Sequence, residues 1–336
     1  MTATPWDEFR PGPWQSTQVV PAEPPTEEVR AAKGLPRTLY PVSGAGVVQH
    51  PVFDPAMAEY SFGMRLSEPH FDDPERGAGW FAGRREAIDH ILAAVADSPW
   101  AGELMLRGSV LLAAWFGAAA REPGDVDFIV LPMNWQVDEP TTDDMFADIA
   151  RRAEMVADMP GSTVRIHPDG ALSDHIWTYD RVPGRRLILP WTSIDSEIPS
   201  GTVQLDFVFN ESVPRQPHWS DLPRLSGPGP SARLLAATPE LSLAWKLLWL
   251  TTDVHPEGKD FYDAVLLAEN SRLPYELLAT VLGRDPEGDW LPGLVAGLDS
   301  SADWEEFAKD HPHLADAQWS FIDRLRAALE YLKDRT

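Results

Sequence analysis

The chain has 336 residues, enough for two domains and a sizeable core, and its 52 acidic against 28 basic side chains give a formal net charge of −24. It contains no cysteine, which excludes disulfides, thiol nucleophiles and Cys-ligated zinc or iron–sulfur centres and fits a reducing cytoplasm. No secretory h-region and no apolar run of transmembrane length is present, so a soluble protein with no membrane partner is expected.

In chain order, residues 1–75 hold twelve of the 32 prolines, among them Pro11, Pro13, Pro21, Pro24 and Pro25. That density predicts an extended or disordered stretch over residues 1 to about 45. Phe53 to Met64 is richer in aromatics and is expected to dock on the domain that follows. From Trp80 the pattern turns helical, with Ile88, Ile91, Leu92 and Val95 on one face. LMLRG reads as a short strand, Ser109 to Gly117 as an apolar helix, and DVDF continuing through Phe128 to Leu131 as a second, buried strand. The long interval from Phe128 to Thr202 reads as an insertion, with a helix over Thr142 to Ala157 and a hairpin over His175 to Ile194; substrate choice could reside there. TVQLDFVFN, Thr202 to Asn210, is a third strand. Helices are expected over Pro239–Thr252, Lys259–Asn270, Pro274–Leu282, Ala302–Lys309 and Ala315–Lys333. Trp245, Trp249 and Trp319 are read as helix-packing core. His311 and His313, around Pro312, lack partners at metal spacing and are read as surface residues. The division expected is a Pro-rich, partly disordered segment (1–75), a catalytic domain (76–230) and a helical C-terminal domain (231–336).

The chemistry concentrates at the first two strands. Read at period two, Asp125 and Asp127 share one face of their strand while Val126 and Phe128 point into the core. Two adjacent carboxylates repel unless a cation lies between them, and oxygen-rich sites of this kind suit Mg²⁺ (or Mn²⁺) together with phosphate oxygens. Sixteen residues upstream, Gly108-Ser109 opens a helix, where backbone N–H groups and the dipole attract phosphate. Glycine permits close approach, and serine adds a hydroxyl. Asp206, between Leu205 and Phe207, is the third carboxylate; beside the first two it would complete a metal site and accept the proton of an attacking hydroxyl. The alternative is that it faces solvent on an edge strand. Only five of the 28 basic residues are lysine. One, Lys246, is the sole charge of the helix LSLAWKLLWL, so it must be paired or serve a ligand. Asp260 and Asp263, three residues apart at the start of the next helix, are its candidate partners.

Taken together, RGS (Arg107–Ser109), REPGDVDF (Arg121–Phe128), LDF around Asp206, TPE…WKL around Lys246 and KDFYD (Lys259–Asp263) resemble the AbiEii/AbiGii nucleotidyltransferase toxin family of the polymerase-beta-like superfamily, over about residues 80 to 275. The resemblance implies an α+β fold: a polymerase-beta-like nucleotidyltransferase domain with a mixed sheet, followed by a helical C-terminal domain contributing Lys246 and KDFYD. It implies an NTP co-substrate, with Gly108, Ser109, Asp125 and Asp127 holding phosphates and metal, and it matches Lys246 and Asp263 to the family's essential lysine and last aspartate. The expected catalytic residues are thus Asp125, Asp127, Asp206, Lys246 and Asp263, with Asp125, Asp127 and Asp206 on the metal. Arg107, Gly108, Ser109, Arg121, Lys246 and Asp260 form the expected nucleotide-binding set. The chain departs from the family where many members carry a second glycine and it has Arg107, which could itself bind phosphate.

The resemblance also implies an RNA or tRNA acceptor for some members, and a toxin role with an antitoxin partner. A net charge of −24 disfavours nucleic acid, which rewards clustered Lys and Arg. Arg84 and Arg85, Arg151 and Arg152, Arg181, Arg185 and Arg186 could still line one groove. A small molecule or a protein side chain remains an alternative acceptor, and a catalytically idle NTP-binding module the alternative to an enzyme.

Overall fold

The described part of the first 75 residues gathers around a small apolar core. In the computed structural model, which describes residues 4–10, 18–177, 182–298 and 302–334, α1 (Pro5–Glu8) and α2 (Glu27–Lys33) precede four short strands. These are β1 (Val47–Val48), β2 (Pro51–Phe53), β3 (Met64–Leu66) and β4 (His70–Phe71), with β1 paired to β4 and β2 to β3. Trp6, Phe9, Val20, Val29, Leu35, Leu39 and Met64 pack together as a separate cluster. Arg30 is buried beneath them and donates to the carbonyls of Pro25, Pro36 and Leu39. The extended or disordered reading of residues 1–45 is therefore corrected for the described part. The apolar residues there follow no helical or strand period, and their convergence depends on loop carbonyls gathered by one guanidinium. Pro11 and Pro13 lie outside the described residues. Phe53 to Met64 docks as expected: Ala56 and Met57 pack on Ile176, and the Ala56 carbonyl accepts from Trp177 N.

Next come α3 (Pro74–Ala96), capped by Asp73, β5 (Leu104–Arg107), α4 (Ser109–Phe116), β6 (Asp125–Val130) and α5 (Pro140–Ala157). They are followed by β7 (Val164–Ile166), β8 (Leu172–Ile176), β9 (Gly184–Ser193), β10 (Gly201–Val208), β11 (His218–Leu222) and β12 (Ala232–Ala236). The sheet runs β11-β12-β5-β6-β10-β9-β7, with β8 also paired to β9. β10 is parallel to β6 and antiparallel to β9, and β5 is antiparallel to β6. The mixed sheet of the expected α+β class is thus present. The hairpin expected over His175–Ile194 forms from β8 and β9; Arg181 lies outside the described residues.

One face of this sheet is covered by helices. Phe128 and Phe207 stack at 5.4 Å, Phe146 of α5 lies 4.8 Å from Phe207, and Trp80 of α3 meets Trp191 of β9 at 5.7 Å. The apolar side of each strand is thereby dry, and every charged residue of β6 and β10 projects from the other side.

Two compact units divide the chain: Met1–Ala114, Glu122–Ser212 and Trp219–Leu235 in the first, Trp115–Arg121, Val213–His218 and Ala236–Thr336 in the second. The second unit contains α6 (Pro239–Thr252), α7 (Gly258–Asn270), α8 (Tyr275–Val281), α9 (Leu291–Gly297), α10 (Trp304–Asp310) and α11 (Gln318–Ala328). The α9 helix lies in a stretch read without one, and the single helix expected over Ala315–Lys333 is α11 followed by a 3₁₀ turn, Glu330–Asp334. Trp245 is buried, whereas Trp319 is 70% exposed, a correction to its reading as core. Phe321, Ile322 and Leu325 define the inward face of α11, and residue 319, in its first turn, lies at the flank of that face, roughly 110° round the helix from its centre. His311 is no isolated surface residue either, because its ring packs on Phe307 and stacks with Tyr262. Among the described residues no helix is long and apolar enough to cross a membrane.

Replacing Phe207 by alanine removes the centre of the stack between Phe128 and Phe146. We expect a loss of about 3–5 kcal/mol in unfolding free energy, read by chemical denaturation.

Candidate active site

The pairing of β6 with β10 sets Asp206 opposite Asp127 and Gln204 opposite Asp125. Adjacent strands lie about 4.8 Å apart, and residues opposite each other point to the same face. β5 adds Arg107 opposite Asp127, and β9 adds Arg186 opposite Asp206. Arg107, Asp127, Asp206 and Arg186 therefore form one row across four strands, on the face away from α3 and α5. Asp206 is in the middle of the sheet, so the edge-strand alternative does not hold.

Gly108 follows β5 with φ +83. A Cβ at this position would run into the Asp127 carboxylate. The glycine is needed both for the backbone conformation and for the room it leaves. Ser109, 1% exposed, donates from Oγ to the Asp125 carbonyl and to its Oδ1, both at 3.3 Å. The turn and the two strand carboxylates thus form one assembly, with the serine hydroxyl spent on holding Asp125. Arg107, a candidate phosphate ligand, donates to Glu211 Oε2 at 2.7 Å.

Asp206 is held by a partner that the sequence reading counted only as a basic residue. Arg186 donates from Nε to Oδ1 and from Nη2 to Oδ2, each at 2.9 Å, and from Nη1 to Asp54 Oδ2 at 3.0 Å. Gln204 Nε2 adds a contact to Asp206 Oδ2 at 3.3 Å. Burial lifts the Asp206 carboxyl above its ordinary range; Arg186 opposes this, and the charges of Asp125 and Asp54 add to the rise. For Arg186, burial works against the charged form, but Asp206 and Asp54 outweigh it and hold it cationic. Within GRRLILPW, adjacent arginines on a strand face opposite ways, so Arg185 and Arg186 take opposite faces of β9; that Arg186 meets the aspartates follows from the β9–β10 register.

In the second unit, Lys246 of α6 is 5% exposed and lies 2.6 Å from Asp260 Oδ1 and 3.1 Å from Asp263 Oδ2. Arg121 donates from Nε to both oxygens of Asp263 and from Nη2 to Oδ2, all at 3.2 Å. Burial opposes charge on Lys246, but Asp260 and Asp263 outweigh it and keep the ammonium protonated. Burial likewise raises the Asp263 carboxyl, yet Arg121 and Lys246 together bring it below the usual range. The sequence left the lysine's partner open between two aspartates, and the structure uses both.

A model of the nucleotidyltransferase AbiEii toxins of type IV toxin–antitoxin systems matches residues 90–330. The chain belongs to the AbiEii toxin family. It is a nucleotidyltransferase of that group. MenT4, a nucleotidyltransferase toxin from Mycobacterium tuberculosis H37Rv, has a solved structure similar over 76% of this chain and 86% of that one, at 14% identity and a TM-score of 0.46. No curated protein matches in sequence.

In this AbiEii protein the donor chemistry fits a divalent cation. Asp125 and Asp127 offer hard oxygens side by side, as Mg²⁺ requires, and both are partly exposed. Among the described residues no three His, Cys, Asp or Glu side chains are gathered around one point to hold a metal; Asp206 turns both oxygens to Arg186. The arginines proposed to line a groove lie against carboxylates: Arg84 on Glu68, Arg85 on Glu122, Arg151 and Arg152 on Asp148, Arg185 on Asp143. The inserted stretch builds a cavity of about 620 Å³ between α5 and the β8–β9 hairpin, where Arg37, Arg151 and Arg185 alternate with Asp143, Glu154 and Asp169.

Two outcomes follow from this geometry. Gly108→Ala forces a side chain into a left-handed backbone and displaces Asp127, at a cost of about 1–2 kcal/mol for the backbone alone. Nucleotide transfer should fall about a hundredfold, measured alongside an unfolding curve. Asp263→Asn should cost about 3–5 kcal/mol at pH 7, because it leaves buried cations short of a counter-charge. The folded Asp263 carboxyl titrates below its unfolded value, so its contribution is full above about pH 4 and disappears as pH falls through the lowered folded value. Unfolding midpoints of wild type and Asp263→Asn should therefore converge in acid; a constant gap from pH 7 to pH 2 would contradict the ion-pair account.

Proposed function

We propose that the chain transfers a nucleoside monophosphate from an NTP to an acceptor hydroxyl, using Mg²⁺ or Mn²⁺ at Asp125 and Asp127. The observation that carries this reading is the Asp127–Asp206 register beside the Gly108-Ser109 turn. A divalent cation there supplies charge compensation to the triphosphate. Backbone N–H groups at the start of α4 bind terminal phosphate oxygens. Asp206, opposite Asp127 on the neighbouring strand, orients the acceptor and takes its proton as the hydroxyl oxygen bonds to the α-phosphorus. The bond from that phosphorus to the bridging oxygen breaks, and pyrophosphate leaves. Lys246, Asp263, Arg121 and Asp260 enter the proposal as catalytic and nucleotide-binding groups on the family's motif pattern alone; Arg107, where the chain departs from that pattern, enters as a phosphate ligand.

RNA, including tRNA, is the first acceptor class to test, with toxicity neutralised by a protein antitoxin and the work done in the cytoplasm. A second reading, transfer to a small molecule or a protein side chain, is favoured by the net charge of −24 and by arginines already engaged with carboxylates. Purified protein with Mg²⁺, labelled NTPs and pools of total RNA, small metabolites and protein should label one pool, with Asp127→Ala reduced at least about a thousandfold. Equal labelling by wild type and variant would remove the mechanism, and NTP binding without pyrophosphate release would leave an idle binding module.

A further inference from the structure

The stretch that matches the AbiEii family begins at residue 90, yet a buried carboxylate from well before it reaches the aspartate row. Asp54 is 7% exposed and spends its two oxygens differently. Oδ1 accepts from Ala56 N at 3.0 Å and caps a 3₁₀ turn, while Oδ2 meets Arg186 Nη1 at 3.0 Å. The same segment is fixed to the β8–β9 face at two further points. Thr38 N donates to Asp174 Oδ2 at 2.6 Å, and Trp177 N donates to the Ala56 carbonyl at 3.1 Å. Asp174 is the cross-strand partner of Arg186.

We infer that Asp54, delivered by the N-terminal segment, is a positioning residue for the nucleotidyltransferase site, acting through Arg186 on Asp206; this rests on the reading of that site under Proposed function. The guanidinium is planar, and its Nε and both Nη atoms are committed to two carboxylates, which fixes its plane. Asp54, Arg186 and Asp206 together carry one net negative charge. Without Asp54, Arg186 is neutralised by Asp206 alone, and any cation drawn to Asp206 must compete with a full opposing charge. Asp54 thus shares the guanidinium's charge and fixes the plane in which Arg186 holds Asp206 opposite Asp127. Outer partners of this kind commonly change metal affinity by about 10- to 100-fold.

The test uses the full chain and Mn²⁺ alone, with binding read by electron paramagnetic resonance. Asp54→Asn and Asp54→Ser both keep an acceptor for Ala56 N and so preserve the cap while removing the charge. Each should weaken Mn²⁺ binding about tenfold or more, with unfolding midpoints near wild type, and Asp54→Glu should recover part of the affinity. Asp127→Ala separates the two readings. If it binds Mn²⁺ as wild type does, the site assignment fails and this inference falls with it. If Asp127→Ala loses Mn²⁺ while the Asn and Ser variants bind normally, the inference alone is overturned. Unfolding of both the Asn and Ser variants would make Asp54 a determinant of the fold and would also overturn it.

Discussion

The parallel pairing of β6 with β10 is the constraint on which the site and the core of its unit both depend. It sets Asp127 beside Asp206 on one face and Phe128 beside Phe207 on the other. A slip of one residue would drive Asp206 into the aromatic layer under α5 and lift Phe207 toward solvent. The energetic preference for burying two phenylalanines thereby fixes the spacing of two carboxylates. Core packing supplies the precision that the carboxylates, which repel one another, could not supply themselves.

Much of this was legible in the sequence because period-two alternation is a local signal. DVDF and LDF each declare which side chain faces the core, and Lys246 stands out as the one charge on an apolar helix. What was not legible depends on which strands become neighbours. The clamp of Arg186 on Asp206 requires β9 to lie against β10 in one register, and nothing within GRRLILPW specifies that register. The cluster of Trp6, Phe9, Val29 and Leu39 was hidden for a different reason: its members come from loops and short helices, and the prolines between them read as disorder. Trp319 shows the converse error, since a large aromatic in a helical stretch was weighed by type and not by its angle on α11.

The charge distribution has a consistent physical logic. The acidic excess is large, and Arg84, Arg85, Arg152, Arg185 and Arg186 are each absorbed locally by carboxylates. Arg30 and Arg186 are buried and act as structural cross-links, one on carbonyls and one on carboxylates. Positive charge in the interior thus organises loops and strands, and the surface is left to repel polyanions at a distance. A triphosphate approaching such a surface gains no long-range attraction from it, so its recognition has to be short-range.

Gly108 and Asp127 share a single volume. The space a methyl group would take at residue 108 is already filled by an oxygen of residue 127, so the two positions, nineteen apart in the chain, form one steric unit. Enlarging the first is chemically equivalent to rotating the second, and neither can drift independently of the other. The tightness of the turn is therefore set by a carboxylate on the neighbouring strand.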